Sequence, residues 1–150
     1  MPKKYVLPPF VSGVVSQETY ERWLRRKARA HVKRDRCRGN ESASGTAYRE
    51  AIHSAVLESR GCDAYTGESL QWELISQYDN DESMKNGRHY KKGFALLPTV
   101  DHVGDGMGPA NFKICGWRTN DAKNDLNLSE FISVCQAVLK HNGFVINNAG

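Results

Sequence analysis

The chain has four cysteines, Cys37, Cys62, Cys115 and Cys135, and no two of them form a CxxC pair. Close ligand pairs are the usual sequence mark of a structural zinc, so a zinc cage is disfavoured and incidental or buried thiols are expected. No apolar run approaches the roughly 18 residues that a membrane-crossing helix needs. The segment from Met1 to Pro9 carries two lysines and too few apolar residues ahead of Pro8 and Pro9 to serve as the hydrophobic part of a secretory signal. A cytoplasmic chain follows as the expectation, and in that setting disulfide scaffolding is a poor reading. What is present suits one domain: 150 residues, 39% of them apolar, enough for a modest packed core.

The net charge of +4 conceals an asymmetry. Residues 1–60 carry 13 Lys and Arg against 6 Asp and Glu, whereas residues 61–150 carry 8 against 11. A basic first part and a slightly acidic second part suit a protein that grips a polyanion with one end and holds a cation with the other.

Pro2, Pro8, Pro9 and Gly13 break up residues 1–15, which read as an arm anchored by its valines, Leu7 and Phe10. A helix is predicted from about Gln17 to Arg36, capped by Ser16, with Tyr20, Trp23, Leu24 and His31 on its inner stripe. Arg22, Arg25, Arg26, Arg29, Lys33, Arg34 and Arg36 fill much of the remaining surface. Like charges at three- and four-residue spacing repel, and a phosphate backbone would relieve them; a merely solvated basic face is the plainer reading. A second helix is predicted from about Thr46 to Arg60, stopped by Gly61. Cys62 to Glu68 reads as a turn or short hairpin, followed by a helical turn over residues 70–75, and Asp79 to Gly93 as a surface loop exposing His89 and Lys91. Strands are expected within Phe94 to Val103 and over Phe112 to Cys115, with Phe112 and Ile114 on one side. Helix character resumes near Thr119. A last helix is expected from Ser129 to about His141, with Phe131, Ile132, Cys135, Val138 and Leu139 facing inward. The fold class is therefore α+β.

Asp101 and His102 end the first expected strand, where alternation sends their side chains to opposite faces. Each is thus free to serve a different part of a site. Asp101 and Asn120 are oxygen donors that a hard divalent ion would accept, and His102 is an imidazole able to take a proton from water near neutral pH. Asn111, after Pro109 and Ala110, can tie a glycine-rich loop through its amide, and Lys123, three residues beyond Asn120, can meet a phosphate. Taken singly, each residue has a plainer reading as turn, cap or surface chemistry. Trp23, Trp72 and Trp117 are expected as core anchors rather than base-stacking platforms.

Pro98-Thr99-Val100-Asp101-His102-Val103, then Asn111-Phe112-Lys113-Ile114-Cys115, then Asn120-Asp121-Ala122-Lys123-Asn124-Asp125 resembles the core of the HNH endonucleases, a family of ββα-metal nucleases. Tyr65-Thr66-Gly67 resembles the turn that precedes that core. The resemblance covers about residues 62–131. It divides the single domain into a basic arm and helical extension at 1–61, the ββα-metal region, and the rest of the C-terminal helix and tail at 132–150. It implies that His102 is the general base, Asp101 and Asn120 the metal ligands, and Asn111 the asparagine that braces the loop and orients the histidine, an H-N-N variant. One Mg2+ or Mn2+ is the implied cofactor, since the paired zinc-binding cysteines of many members are missing here.

The activity so implied is hydrolysis of DNA phosphodiester bonds, as in phage or restriction-related relatives. Double-stranded DNA is the expected partner, with Arg22, Arg25, Arg26, Arg29, Lys33 and Lys123 as candidate phosphate contacts; a homodimer or a protein partner also fits. Two other functions suit the same residues: a nucleic-acid-binding module that does not cut, and a structural component of a larger assembly.

Overall fold

A computed structural model describes residues 4–77, 85 and 92–148. The chain is α+β, with four α-helices and one two-stranded antiparallel sheet among the described residues. Helix α1 spans Gln17–Cys37 and starts where the Ser16 hydroxyl accepts the Thr19 N–H. Helix α2 spans Gly45–Ser59, with Ser44 performing the same service for Ala47. It stops where Arg60 turns left-handed ahead of Gly61. Strands β1 (Pro98–His102) and β2 (Phe112–Gly116) pair antiparallel, His102 opposite Phe112 and Asp101 opposite Lys113. A short helix α3 follows at Trp117–Lys123, and α4 spans Leu128–His141.

The core lies where α1 and α2 pack together and against the hairpin. Tyr20, Trp23, Leu24, Ala28, His31, Val32 and Asp35 form the buried stripe of α1, and Tyr48, Ile52, Ala55 and Val56 that of α2. On β2, Phe112 and Ile114 point inward and Lys113 outward, as period-two alternation requires. Trp23 and Trp72, the latter in a 3-10 turn at Trp72–Ser76, meet edge to face at 5.7 Å, and Phe10 of the arm packs on Trp72. Both tryptophans are buried core anchors.

Three expectations are corrected. Helix α3 begins at Trp117, with Gly116 at the N-cap position, so Thr119 is a buried residue inside the helix rather than at its start. Helix α4 begins at Leu128, capped reciprocally by Asn127 and Glu130, rather than at Ser129. No residue of α4 is buried: Ile132, Val138 and Leu139 are exposed instead of facing inward. Amphipathic spacing creates an apolar stripe without dictating that the body of the same chain covers it. The loop read at 79–93, with His89 and Lys91, lies outside the described residues apart from 85, 92 and 93. No helix among the described residues is long and apolar enough to cross a membrane.

Candidate functional site

The turn at residues 62–69 is fastened to the hairpin by one carboxylate. Asp63 is buried; its Oδ1 accepts the N–H groups of Tyr65 and Thr66, and its Oδ2 accepts the N–H of Gly116 at 2.8 Å. The Ala64 N–H donates to the Ile114 carbonyl. Gly116 passes so close to the chain that a Cβ there would lie 2.9 Å from the Ala95 carbonyl oxygen. This fastening delivers Tyr65 to β1, where its hydroxyl donates to Asp101 Oδ2 at 2.5 Å.

From the other side α3 packs on β1, bringing Lys123 Nζ to 2.9 Å from the same oxygen. Both side chains of that pair are nearly buried. The ammonium also lies 5.3 Å from the centre of the Tyr65 ring. Burial, and then donation to Asp101, pushes the Tyr65 hydroxyl above its ordinary pKa, so it stays a proton donor to the carboxylate. Lys123 is thus turned onto Asp101 rather than out toward solvent. Asn120, one turn earlier on α3, is half-buried.

His102 points the opposite way, as alternation along β1 requires. Its Nδ1 lies 2.6 Å from Asp35 Oδ2, with side chains only 5% and 1% exposed. The pair is close, yet its angle falls outside hydrogen-bond limits, and His102 Nδ1 and Asp35 Oδ1 have no hydrogen-bond partner among the described residues. Tyr48 of α2 donates its hydroxyl to the same Asp35 oxygen at 2.7 Å. Burial and that carboxylate push the Tyr48 pKa up to about 12. Phe112 lies against the His102 ring at 4.5 Å between centres, and Tyr48 meets it edge-on at 5.7 Å. His102 is therefore walled by aromatics, with the Asp35 carboxylate against its Nδ1.

His31, one turn before Asp35 on α1, is buried and donates from Nε2 to the Val100 carbonyl at 3.1 Å. Burial, with Arg34 adding to it, pulls its pKa down to about 4. It is a neutral strut between α1 and β1. Lys27 reaches Thr99 Oγ1 at 3.2 Å, and burial lowers its pKa to about 8.

The structure therefore separates the adjacent pair Asp101 and His102 into two buried clusters on opposite faces of one strand. Asn111 is exposed at the entry to β2 and meets the loop through its backbone, its carbonyl accepting the Val103 N–H at 2.8 Å. Asp35, rather than Asn111, is the polar side chain placed on the His102 ring. Arg22, Arg25, Arg26, Arg29 and Lys33 are all exposed along α1. Asp35, Tyr48 and Tyr65 were not singled out from sequence as site residues. One signal was present for Asp35: it falls on the apolar stripe after Ala28, His31 and Val32, where a lone counterion for surface arginines would not be buried.

No group of three or more His, Cys, Asp or Glu side chains suited to a metal occurs among the described residues. The donor chemistry that remains, the Asp101 carboxylate and the Asn120 amide, suits a hard ion. Asp101 already holds a cation, the Lys123 ammonium, which would compete with a metal for that oxygen. No family model, no curated protein and no solved structure matches the chain.

Proposed function

We propose that this chain is a divalent-metal-dependent endonuclease of the HNH type, hydrolysing DNA phosphodiester bonds with His102 as general base. The observation that carries the reading is the placement of His102 at the end of β1, its Nδ1 on the buried Asp35 carboxylate. A carboxylate beside an imidazole stabilises the charge that forms when the other nitrogen takes a proton from water. The exposed Arg and Lys of α1 supply affinity for a phosphate backbone without reading bases. Asp101 and Asn120 would hold one Mg2+ or Mn2+, which when bound neutralises charge on the phosphate and the leaving oxygen. Lys123 and Tyr65 hold the Asp101 carboxylate in position.

Incubating supercoiled plasmid with the protein and Mg2+ or Mn2+ tests the reading, with chelator and His102→Ala as the comparisons. Cleavage that chelator stops and His102→Ala nearly abolishes, with duplex binding intact, is the expected result; undiminished cleavage by the variant rejects His102 as base. A second reading, a module that binds nucleic acid without cutting it, is favoured by the Asp101–Lys123 ion pair, since a carboxylate neutralised by lysine needs no metal. Binding with no cleavage under any divalent ion would decide for it.

A further inference from the structure

A groove on the outer side of the α1–α2 junction is lined by Arg25, Arg29, Val32, Arg36, Gly45 and Arg49 and encloses about 200 Å3. Four guanidinium groups from two helices border it, and no carboxylate does. None of the four has an ion-pair partner among the described residues, unlike Arg22, which pairs with Glu18. Two of them are held in place. Arg36 donates from Nε and Nη2 to the Ala43 carbonyl at 3.0 and 2.8 Å, and Arg49 donates from Nη2 to the Thr46 hydroxyl at 3.3 Å. A Cβ at position 45 would lie 3.1 Å from Arg49 Nη1, so the glycine leaves that guanidinium room beside the groove.

Like charges gathered around a concave surface repel one another and focus a positive field into the space between them. An anion removes the repulsion. Phosphate suits the lining best, because planar guanidinium forks match its oxygens two at a time. Arg36 and Arg49 directly follow Asp35 and Tyr48, whose side chains turn inward to His102. The outer groove and the inner histidine cluster are thus two sides of one helix junction. We infer that this groove is a phosphate-binding site that anchors a phosphate of the nucleic-acid backbone other than the one cleaved. The choice of nucleic acid as the source rests on the proposed function; the anion site itself does not.

Fluorescence anisotropy of a labelled DNA duplex, in chelator and across a salt series, tests the inference. The comparison is between the native chain, the double variant Arg29→Ala with Arg49→Ala, and a charge-matched control, Lys4→Ala with Arg118→Ala. Of the four positions, Lys4, Arg29 and Arg118 are exposed and Arg49 is half-buried, and circular dichroism with a melting curve verifies that each variant is folded. The groove variant is expected to bind at least tenfold more weakly, with a salt slope shallower by about 1 to 2, one lost phosphate contact being worth about 0.9. The control should stay within about twofold. Equal affinity for groove variant and control overturns the inference. A parallel melting series with inorganic phosphate separates the sources: stabilisation of the native chain only, with duplex affinity unchanged in the groove variant, overturns the nucleic-acid assignment in favour of free phosphate. His102→Ala in the same anisotropy assay keeps native affinity, so loss of cleavage and loss of the groove are read separately.

Discussion

The imidazole of His102 and the carboxylate of Asp35 meet at 2.6 Å although 66 residues separate them in the chain. Tyr48 donates to the same carboxylate oxygen from a second helix, so β1, α1 and α2 converge on one buried acid. Under the proposed function, an acid placed there acts through the histidine and does not itself touch substrate. Asp35→Asn is therefore expected to lower the cleavage rate by roughly 10- to 100-fold, the usual cost of losing a partner one shell out. Duplex affinity should change by less than about twofold. Single-turnover cleavage and anisotropy on the same preparation check both, and a rate within about threefold of native would remove Asp35 from the mechanism.

Lys123 and Asp101 form a nearly buried pair, and removing one member of such a pair leaves the other charged and uncompensated, typically at about 3–5 kcal/mol. Lys123→Met is expected to destabilise the chain by that order in chelator. The variant also frees the Asp101 oxygen from its resident cation. Millimolar Mn2+ should then raise its melting temperature more than it raises that of the native chain. Equal shifts in both proteins would mean that Asp101 is not a metal-accepting position.

Much of this arrangement was legible in the sequence, and the failures have physical causes. Alternation along β1 was enough to send Asp101 and His102 apart, and helical spacing was enough to place Tyr20, Trp23, Leu24 and His31 on one buried stripe. Asp35 was hidden because α1 carries eight Lys and Arg, so it looked like a counterion; only tertiary packing shows that it faces His102. Spacing from Asn120 placed Lys123 on a helix face but did not show that this face meets Asp101. The stripe of α4 showed an apolar side and nothing about its cover. Local periodicity fixes which residues share a face, and contacts between distant segments decide the partner.

His31 provides a pH test of the α1–β1 strut. Its folded pKa of about 4 lies below the ordinary value of about 6.5, so between those pH values the unfolded chain binds a proton that the folded chain refuses. The unfolded state then holds more protons, and stability rises with pH across that window. His31's contribution is fully present above about pH 6.5 and is lost progressively as pH falls toward 4, by up to roughly 3 kcal/mol. His31→Gln, which keeps a donor for the Val100 carbonyl but cannot titrate, should flatten this part of the profile. Urea unfolding at pH 7 and pH 5 on both proteins measures the difference, and identical pH dependence would show that His31 is not the titrating strut.

Gly106 lies against the acid that backs His102. Its φ is +85°, and a Cβ built on it would lie 2.6 Å from Asp35 Oδ1, while its carbonyl accepts the Asn40 side-chain N–H at 2.8 Å. Gly104, in the same loop, also has positive φ, at +101°, but a Cβ there would meet nothing within 4 Å. Alanine at either position incurs backbone strain of about 1–3 kcal/mol. Only Gly106→Ala must also push Asp35 or the loop aside, because the neighbouring atom is a short carboxylate held by Tyr48 rather than the end of a flexible chain. Both variants should lose stability in urea, Gly106→Ala the more, and only Gly106→Ala should lose cleavage beyond what its fraction folded accounts for. Equal cleavage by the two would mean that the loop does not bear on Asp35, and that the 2.6 Å approach is relieved without moving the histidine.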